Sequence, residues 1–395
     1  MRQRPAPFGG SVVLVIGIVA CVAAFRLVVP MVIVTLIALT AAVLALAFGF
    51  PMRAAARRLG WGDLSAERKT REKPASFGGG VALVIAIVAS IVAARLAAPQ
   101  TLGAEPRQWA IVAGIAISLA VGLWDDALGL RSWAKVAVQA AVGLLMWRAG
   151  FRAEIATNPF GGVIHLGVWG AALTVVWYVA LMNAMSLIDG LDGLAAGVAA
   201  IAGVTILVIS ASWSQPSTAL LSAIFVGACL GFLAHNFHPA RLLLGNGGSM
   251  TLGFFLATLT LETGTKSSAL LALMFPMVAL LLPIADAMFA FTQRLAGGGQ
   301  LSSGGRRPHL HDRLLRLGIS HKRIVLILYY LSAINGVLAY LLAARATPGG
   351  SSSAPIAAVF FLQAAGFLLL IESLASLENR KPLPQKPGSS DKTPG

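Results

Sequence analysis

Apolar stretches of about 20 residues, the length that crosses a bilayer as a helix, recur along almost the whole chain. That recurrence leaves few folds open. In lipid a backbone must satisfy its own hydrogen bonds, so spanning segments are helices or closed barrels. Runs this long and this continuously apolar read as helices. They are expected at about 11–29, 31–49, 79–98, 107–124, 133–149, 164–184, 193–213, 217–234, 250–263, 268–289, 322–343 and 355–373. The predicted fold class is therefore all-α, a polytopic transmembrane bundle of about 11–12 helices. Composition agrees: 57% of the 395 residues are hydrophobic and 11% are charged, whereas a soluble domain carries roughly 25% charged residues.

The formal net charge of +15 would suit a nucleic-acid binder, but the charge lies in short loops between apolar runs. It is better read as the excess of Lys and Arg on the inner side of a membrane protein. With the N-terminus inside, 23 of the 30 Lys and Arg fall on that side, the exceptions being Arg26, Arg95, Arg107, Arg148, Arg152, Lys266 and Arg345. Nucleic acid is not an expected partner; anionic membrane lipids and phosphate-bearing substrates are. The two cysteines, Cys21 and Cys229, lie in apolar segments and form neither a disulfide framework nor a metal-spacing motif. Arg2 and Arg4 ahead of an apolar run, with no small-residue cleavage pattern, read as an uncleaved anchor.

Residues 5–30 repeat as residues 74–99, with sixteen of 26 positions identical, including Phe8/Phe77, Gly9/Gly78, Gly10/Gly79 and Arg26/Arg95. The two copies run in the same direction, unlike the inverted repeats of many transporters. The organisation expected is an N-terminal helical hairpin containing the duplicated helix (1–50), a core (51–345), a C-terminal transmembrane helix (346–378) and a Pro-, Lys-, Ser- and Gly-rich tail (379–395) that is disordered and cytoplasmic.

Of only 15 acidic residues, five sit at predicted inner helix ends: Asp125, Asp126, Asp189, Asp192 and Asp286. Carboxylates at a membrane border are costly unless paired, hydrated or metal-bound, which makes them functional candidates. Asp125 and Asp126 are adjacent, an arrangement that a divalent cation would relieve; one of them could instead serve as a base. In NAMSLIDGLDGLAAG (183–197), Asp189 and Asp192 are three apart, so a helical turn would put them on one side. Gly190 and Gly193 permit a tight turn there. Gly245, Gly247 and Gly248 precede a helix expected to begin near Ser249, and such a turn exposes backbone N–H groups to phosphate. In GGRRPHLHDRLLRLG (304–318), Arg306, Arg307, His309, His311 and Arg313 suit a diphosphate; the plain alternative is a positive-inside loop. Arg131 and Lys135 either bind a lipid phosphate or anchor their loop. His165, His235, His238 and His321 carry no independent case.

Taken in order, the DD pair, NxxxxxDGxDGL, NFxPA with its glycine turn, and HxH resemble the polyprenyl-phosphate N-acetylhexosamine-1-phosphate transferases over residues 70–345. That family includes the enzymes that start O-antigen, enterobacterial common antigen and teichoic-acid linkage units, and the phospho-N-acetylmuramoyl-pentapeptide transferase. The resemblance implies that Asp125 and Asp126 bind Mg²⁺ (Mn²⁺ being the alternative) or deprotonate the lipid phosphate. It implies that Asn183, Asp189 and Asp192 line the nucleotide and metal region, with Asp189 and Asp192 among the catalytic residues and Asp192 also among the metal ligands. Asn236 matches the Asn of NFxPA, while Arg306, Arg307, His309 and His311 match the loop that contacts substrate, the two arginines as substrate-binding and the two histidines as catalytic residues. Asp286, Arg294 and Lys73 resemble further substrate-side positions. The implied reaction moves a sugar 1-phosphate, closest to that of N-acetylglucosamine, from a UDP-sugar to undecaprenyl phosphate in a bacterial inner membrane, on the cytoplasmic side; a homodimer is compatible with it.

One departure bears on the metal. The family turn reads GDxGS, whereas this chain has Gly245-Asn246-Gly247-Gly248-Ser249. Asn246 offers a neutral oxygen where the family has a charged ligand, so weaker Mg²⁺ binding is expected. A second reading is thus a transferase-fold binding or scaffold protein with reduced turnover. A transporter is a third, disfavoured because the acids gather at one face rather than at mid-depth.

Overall fold

A computed structural model describes residues 8–60, 78–97, 99–102, 105–153, 155–157, 163–264, 314–315, 318–345, 362 and 366. Among them are nine helices: α1 (Phe8–Arg58), α2 (Gly79–Ala97), α3 (Glu105–Leu128), α4 (Ser132–Arg148), α5 (Val168–Ile188), α6 (Leu194–Ser212), α7 (Pro216–Asn236), α8 (Gly245–Gly264) and α9 (His321–Arg345). Seven of these are long and apolar enough to cross a membrane. Many large apolar side chains point outward, among them Leu36, Val43, Val92, Val176 and Tyr330, as lipid-facing surfaces require. The all-helical membrane class expected from the sequence is what forms. The spans expected at 268–289 and 355–373 and the tail lie outside the described residues, apart from Leu362 and Gly366.

Two local expectations are corrected. The hairpin expected over 1–50 is one continuous helix, α1. Pro30 reads as a break in sequence, but a helix in a bundle tolerates proline when its surroundings satisfy the freed backbone groups. The connection between α4 and α5 contains a short antiparallel ribbon, β1 (Ile155–Thr157) with β2 (Val163–His165).

The centre of the bundle is α8, buried almost from end to end and packed by α2, α3, α5 and α6. It is too polar to face lipid, and it does not need to. Thr251, Thr258 and Thr263 hydroxyls donate to the carbonyls of Gly247, Phe254 and Leu259 one turn back. Trp177 of α5 donates to Thr260, and the Tyr178 hydroxyl lies 3.0 Å from that of Thr258. A hydroxyl that bonds its own helix can be buried without leaving a donor unmet.

Small residues bring α1 against α7. A Cβ on Gly227 would lie 2.0 Å from the Ala38 carbonyl oxygen, and one on Gly231 would lie 2.1 Å from that of Ala42. Glycines four apart that let two backbones touch are a common solution in lipid, where packing drives association. His235 seals the junction, its Nε2 2.8 Å from the Leu46 carbonyl oxygen.

Candidate active site

The loop 237–244, between α7 and α8, is the hub of the site. Its carbonyls at Leu243 and Leu244 accept from Gly79 and Gly80 at the start of α2, at 3.0 and 3.1 Å. Asn236 clamps its other side: its side-chain oxygen accepts from Gly193 N at 3.0 Å, and its Nδ2 donates to the Leu242 carbonyl at 3.0 Å. Asn236 is buried, and an amide, which can both donate and accept, fits a position where two loops each leave one group over. Its role here is to join the α5–α6 turn to the hub.

Asp125 and Asp126 stand in the last turn of α3 and do not face each other, as neighbours on a helix do not. Asp125 turns to α4: its carboxylate accepts from Leu130 N at 2.9 Å and pairs with Lys135 Nζ at 2.9 Å. Lys135 therefore holds an acid and ties the start of α4 to the end of α3. Asp126 turns to α8. Its Oδ1 accepts from Asn246 N at 3.0 Å and Asn246 Nδ2 at 2.9 Å, and its Oδ2 accepts from Gly247 N at 3.3 Å.

Asp126 thus caps α8 from another helix, with a negative charge at the positive end of the helix dipole. This corrects the expectation for the glycine turn. The helix starts at Gly245 rather than near Ser249, and the N–H groups of Asn246 and Gly247 are directed at Asp126 instead of an open site. Glycine is required for this approach: a Cβ on Gly80 would sit 2.4 Å from Gly248 N, and one on Gly122 2.3 Å from the Gly247 Cα.

The helical turn expected to align Asp189 with Asp192 does not form. α5 ends at Ile188, Asp189 is its half-buried C-cap, and Gly193 takes a left-handed φ of +81° ahead of α6. The reversal buries Asp192, leaving it 5% exposed. Its Oδ2 accepts from Ala240 N at 3.1 Å and lies 3.0 Å from His238 Nδ1. The Tyr329 hydroxyl of α9 donates to the Gly193 carbonyl at 2.5 Å, and His321 Nε2 lies 3.4 Å from the Asp192 carbonyl oxygen. Asn183 sits deeper on α5, where it donates to Gln139 of α4 at 2.5 Å. Ser249 of α8 donates to the Ser186 hydroxyl at 3.3 Å.

The described candidates therefore gather where the ends of α3, α5 and α7 meet the starts of α2, α4, α6, α8 and α9. His238, His321, Tyr329 and Gln139 are partners that the sequence reading passed over. A histidine inside NFHPA and another at the first residue of a helix were the available signals. Lys73, Asp286, Arg294, Arg306, Arg307, His309 and His311 lie outside the described residues.

The carboxylates can be tested against the Mg²⁺ that the resemblance implies. Asp126 Oδ2 has a single long donor and Asp125 one donor on each oxygen, which leaves lone pairs for a hydrated cation of the kind Mg²⁺ favours. The oxygen donors are of the type Mg²⁺ takes, with Asn246 adding an amide in place of a further charge, and Asp126 and Asp125 offer them toward different helices.

A polytopic helical bundle with Asp125, Asp126, Asp192, Asn236, His238 and His321 collected at one end defines a membrane enzyme working at the border of lipid and water. Residues 108–264 match the model of Glycosyl transferase family 4. The chain is 34% identical over 286 residues to the probable undecaprenyl-phosphate N-acetylglucosaminyl 1-phosphate transferase of Bacillus subtilis (strain 168), covering 72% of this chain and 78% of the relative. It is 34% identical over 326 residues to the decaprenyl-phosphate N-acetylglucosaminephosphotransferase of Mycobacterium tuberculosis (strain ATCC 25618 / H37Rv), covering 76% and 80%. It is 33% identical over 178 residues to the phospho-N-acetylmuramoyl-pentapeptide-transferase of Lactiplantibacillus plantarum, covering 42% and 56%. The chain belongs to glycosyl transferase family 4 and is a phosphoglycosyl transferase.

Proposed function

We propose that this chain transfers N-acetylglucosamine 1-phosphate, or that of a related N-acetylhexosamine, from a UDP-sugar to a polyprenyl phosphate, and so begins a cell-surface glycan. An oxygen of the lipid phosphate attacks the β-phosphorus, the bond from that phosphorus to the bridging oxygen breaks, and UMP leaves with that oxygen. The product is a polyprenyl diphosphate-sugar. The observation that carries the reading is the Asp126 junction, where the end of α3 meets the glycine-rich start of α8 beside the loop clamped by Asn236. The names of the two N-acetylglucosamine-phosphate transferring relatives support the sugar.

Each residue has a part. Asp126 and Asp125 would hold Mg²⁺, which supplies charge neutralisation of the diphosphate as electron density moves to UMP. Asp126 also keeps the first turn of α8 in place, and Lys135 orients Asp125. Asp189, on the half-buried turn, is assigned to the substrate side together with Asn183. His309, His311, Arg306, Arg307, Asp286 and Lys73 are assigned to phosphate and sugar contacts by resemblance. The site opens to the cytoplasm of a bacterial inner membrane, where UDP-sugars are made.

The test uses full-length protein in nanodiscs containing undecaprenyl phosphate, supplied in turn with labelled UDP-N-acetylglucosamine, UDP-N-acetylgalactosamine and UDP-N-acetylmuramoyl-pentapeptide, with and without Mg²⁺. Label should enter the lipid fraction with matching UMP release, and Asp126→Asn should cut the rate at least 100-fold. Binding of a UDP-sugar with no lipid product under any condition would favour the second reading, a binding protein with reduced turnover, for which the Asn246 amide on Asp126 is the motivating feature.

A further inference from the structure

We infer that Asp192, His238 and His321 form a second cation site, one for a divalent transition metal of the zinc class, separate from the Asp125–Asp126 junction. These three residues come from the α5–α6 turn, the α7–α8 loop and the start of α9, and one ligand atom from each lies within 4.8 Å of the other two. His238 Nδ1 is 3.0 Å from Asp192 Oδ2. Two ligands bonded to one tetrahedral zinc at 2.0–2.2 Å stand about 3.4 Å apart, so small side-chain rotations bring this set onto one ion.

The chemistry of the set selects the metal. Two imidazoles and one carboxylate suit zinc and its first-row neighbours, whereas Mg²⁺ and Ca²⁺ prefer oxygen throughout. The His238 and His321 rings stack 4.1 Å apart at 22°, holding two imidazole donors side by side on one flank of a buried carboxylate. The surroundings are fixed in the way metal sites need. Ala240 N donates to the same Asp192 oxygen that faces His238, His321 Nε2 approaches the Asp192 carbonyl, and Tyr329 fixes the adjoining Gly193. Three protein ligands leave at least one position open, the pattern of a site that also takes a water or a substrate oxygen.

An ion there would tie together three segments that are remote in sequence, at the point where the turn after Asp189 meets the loop carrying Asn236. This inference does not depend on the transfer reaction proposed above, and its test reads metal rather than turnover.

Full-length protein purified without a histidine tag would be stripped with a chelator, reloaded with Zn²⁺ and assayed by elemental analysis and chelator competition. Wild type and Asp125→Asn should each retain one Zn²⁺ per chain. His238→Ala and His321→Ala should weaken retention at least tenfold while remaining monodisperse. Because an alanine variant could fail to fold, His238→Cys loaded with Co²⁺ provides the second measurement. It should show a thiolate-to-cobalt charge-transfer band that wild type lacks. Substoichiometric zinc in wild type, zinc lost from Asp125→Asn but kept in His321→Ala, or no such band in a folded His238→Cys would each overturn the site.

Discussion

Asn246 sets how the acidic junction behaves without a cation. Its amide donates to Asp126 Oδ1 at 2.9 Å, so a neutral group rests where a second carboxylate would meet the first. Two like charges about 4 Å apart near a protein surface repel by about 4 kcal/mol, and an added Mg²⁺ reverses the sign. Asn246→Asp should therefore lower the melting temperature in chelator and recover it with millimolar Mg²⁺, whereas wild type should shift much less. Thermal unfolding of both proteins under the two conditions measures this, and equal Mg²⁺ responses would contradict the pairing. At this scale the sequence was readable where a residue is unusual in itself. Asp125, Asp126, Asp192 and Asn236 stand out because carboxylates and amides are rare near apolar runs. His238 and His321 did not stand out, because what gives each meaning is a partner far away in the chain.

At the scale of elements, the decisive contact is the start of α8 against α2 and α3. Two backbones meet there with no side chain between them, at Gly122 against Gly247 and at Gly80 against Gly248. A Cβ at Gly122 would lie within 2.5 Å of the backbone at Asn246 and Gly247, and backbone cannot rotate away as a side chain can. Overpacking of this kind costs about 1–3 kcal/mol. Gly122→Ala should lower the melting temperature and also separate Asp126 from the α8 N–H groups, reducing lipid-linked product at saturating substrate. A variant that is destabilised yet turns over at the wild-type rate would show the junction to be structural only. The same contact explains a missed boundary. Glycines argue against a helix start when read locally, but acceptors from Asp126 let Gly245–Gly248 join α8. Pro30 misled in the same way, since α1 runs through it. The order and rough position of α2 to α9 followed from hydropathy, while these ends were fixed by neighbours that hydropathy does not encode.

The whole molecule has two chemically different ends. Trp124 and Trp133 are exposed at the end that carries the site, and Trp109 and Trp169 at the other, as expected of aromatic belts at two interfaces. The site end carries Arg53, Arg57, Arg58, Arg131, Lys135, Arg241, Lys322 and Arg323, while the far end carries Arg95, Arg107, Arg148, Arg152 and Arg345. At the far end Arg107 pairs with buried Glu262 and lies over the Phe151 ring, so one of those charges is already compensated. The excess of Lys and Arg favours the site end on the cytoplasmic side, where a water-soluble nucleotide could meet a lipid headgroup. Cysteine labelling in intact cells measures the orientation directly. In a background with Cys21 and Cys229 changed to serine, Ser132→Cys at the start of α4 should be blocked by a membrane-impermeant maleimide only after the membrane is opened. Ser212→Cys at the end of α6 should react from outside in intact cells. Both positions are exposed, so reactivity reports side rather than burial. The opposite pattern would turn the acidic end away from the nucleotide pool and remove the physical basis for a UDP-sugar donor.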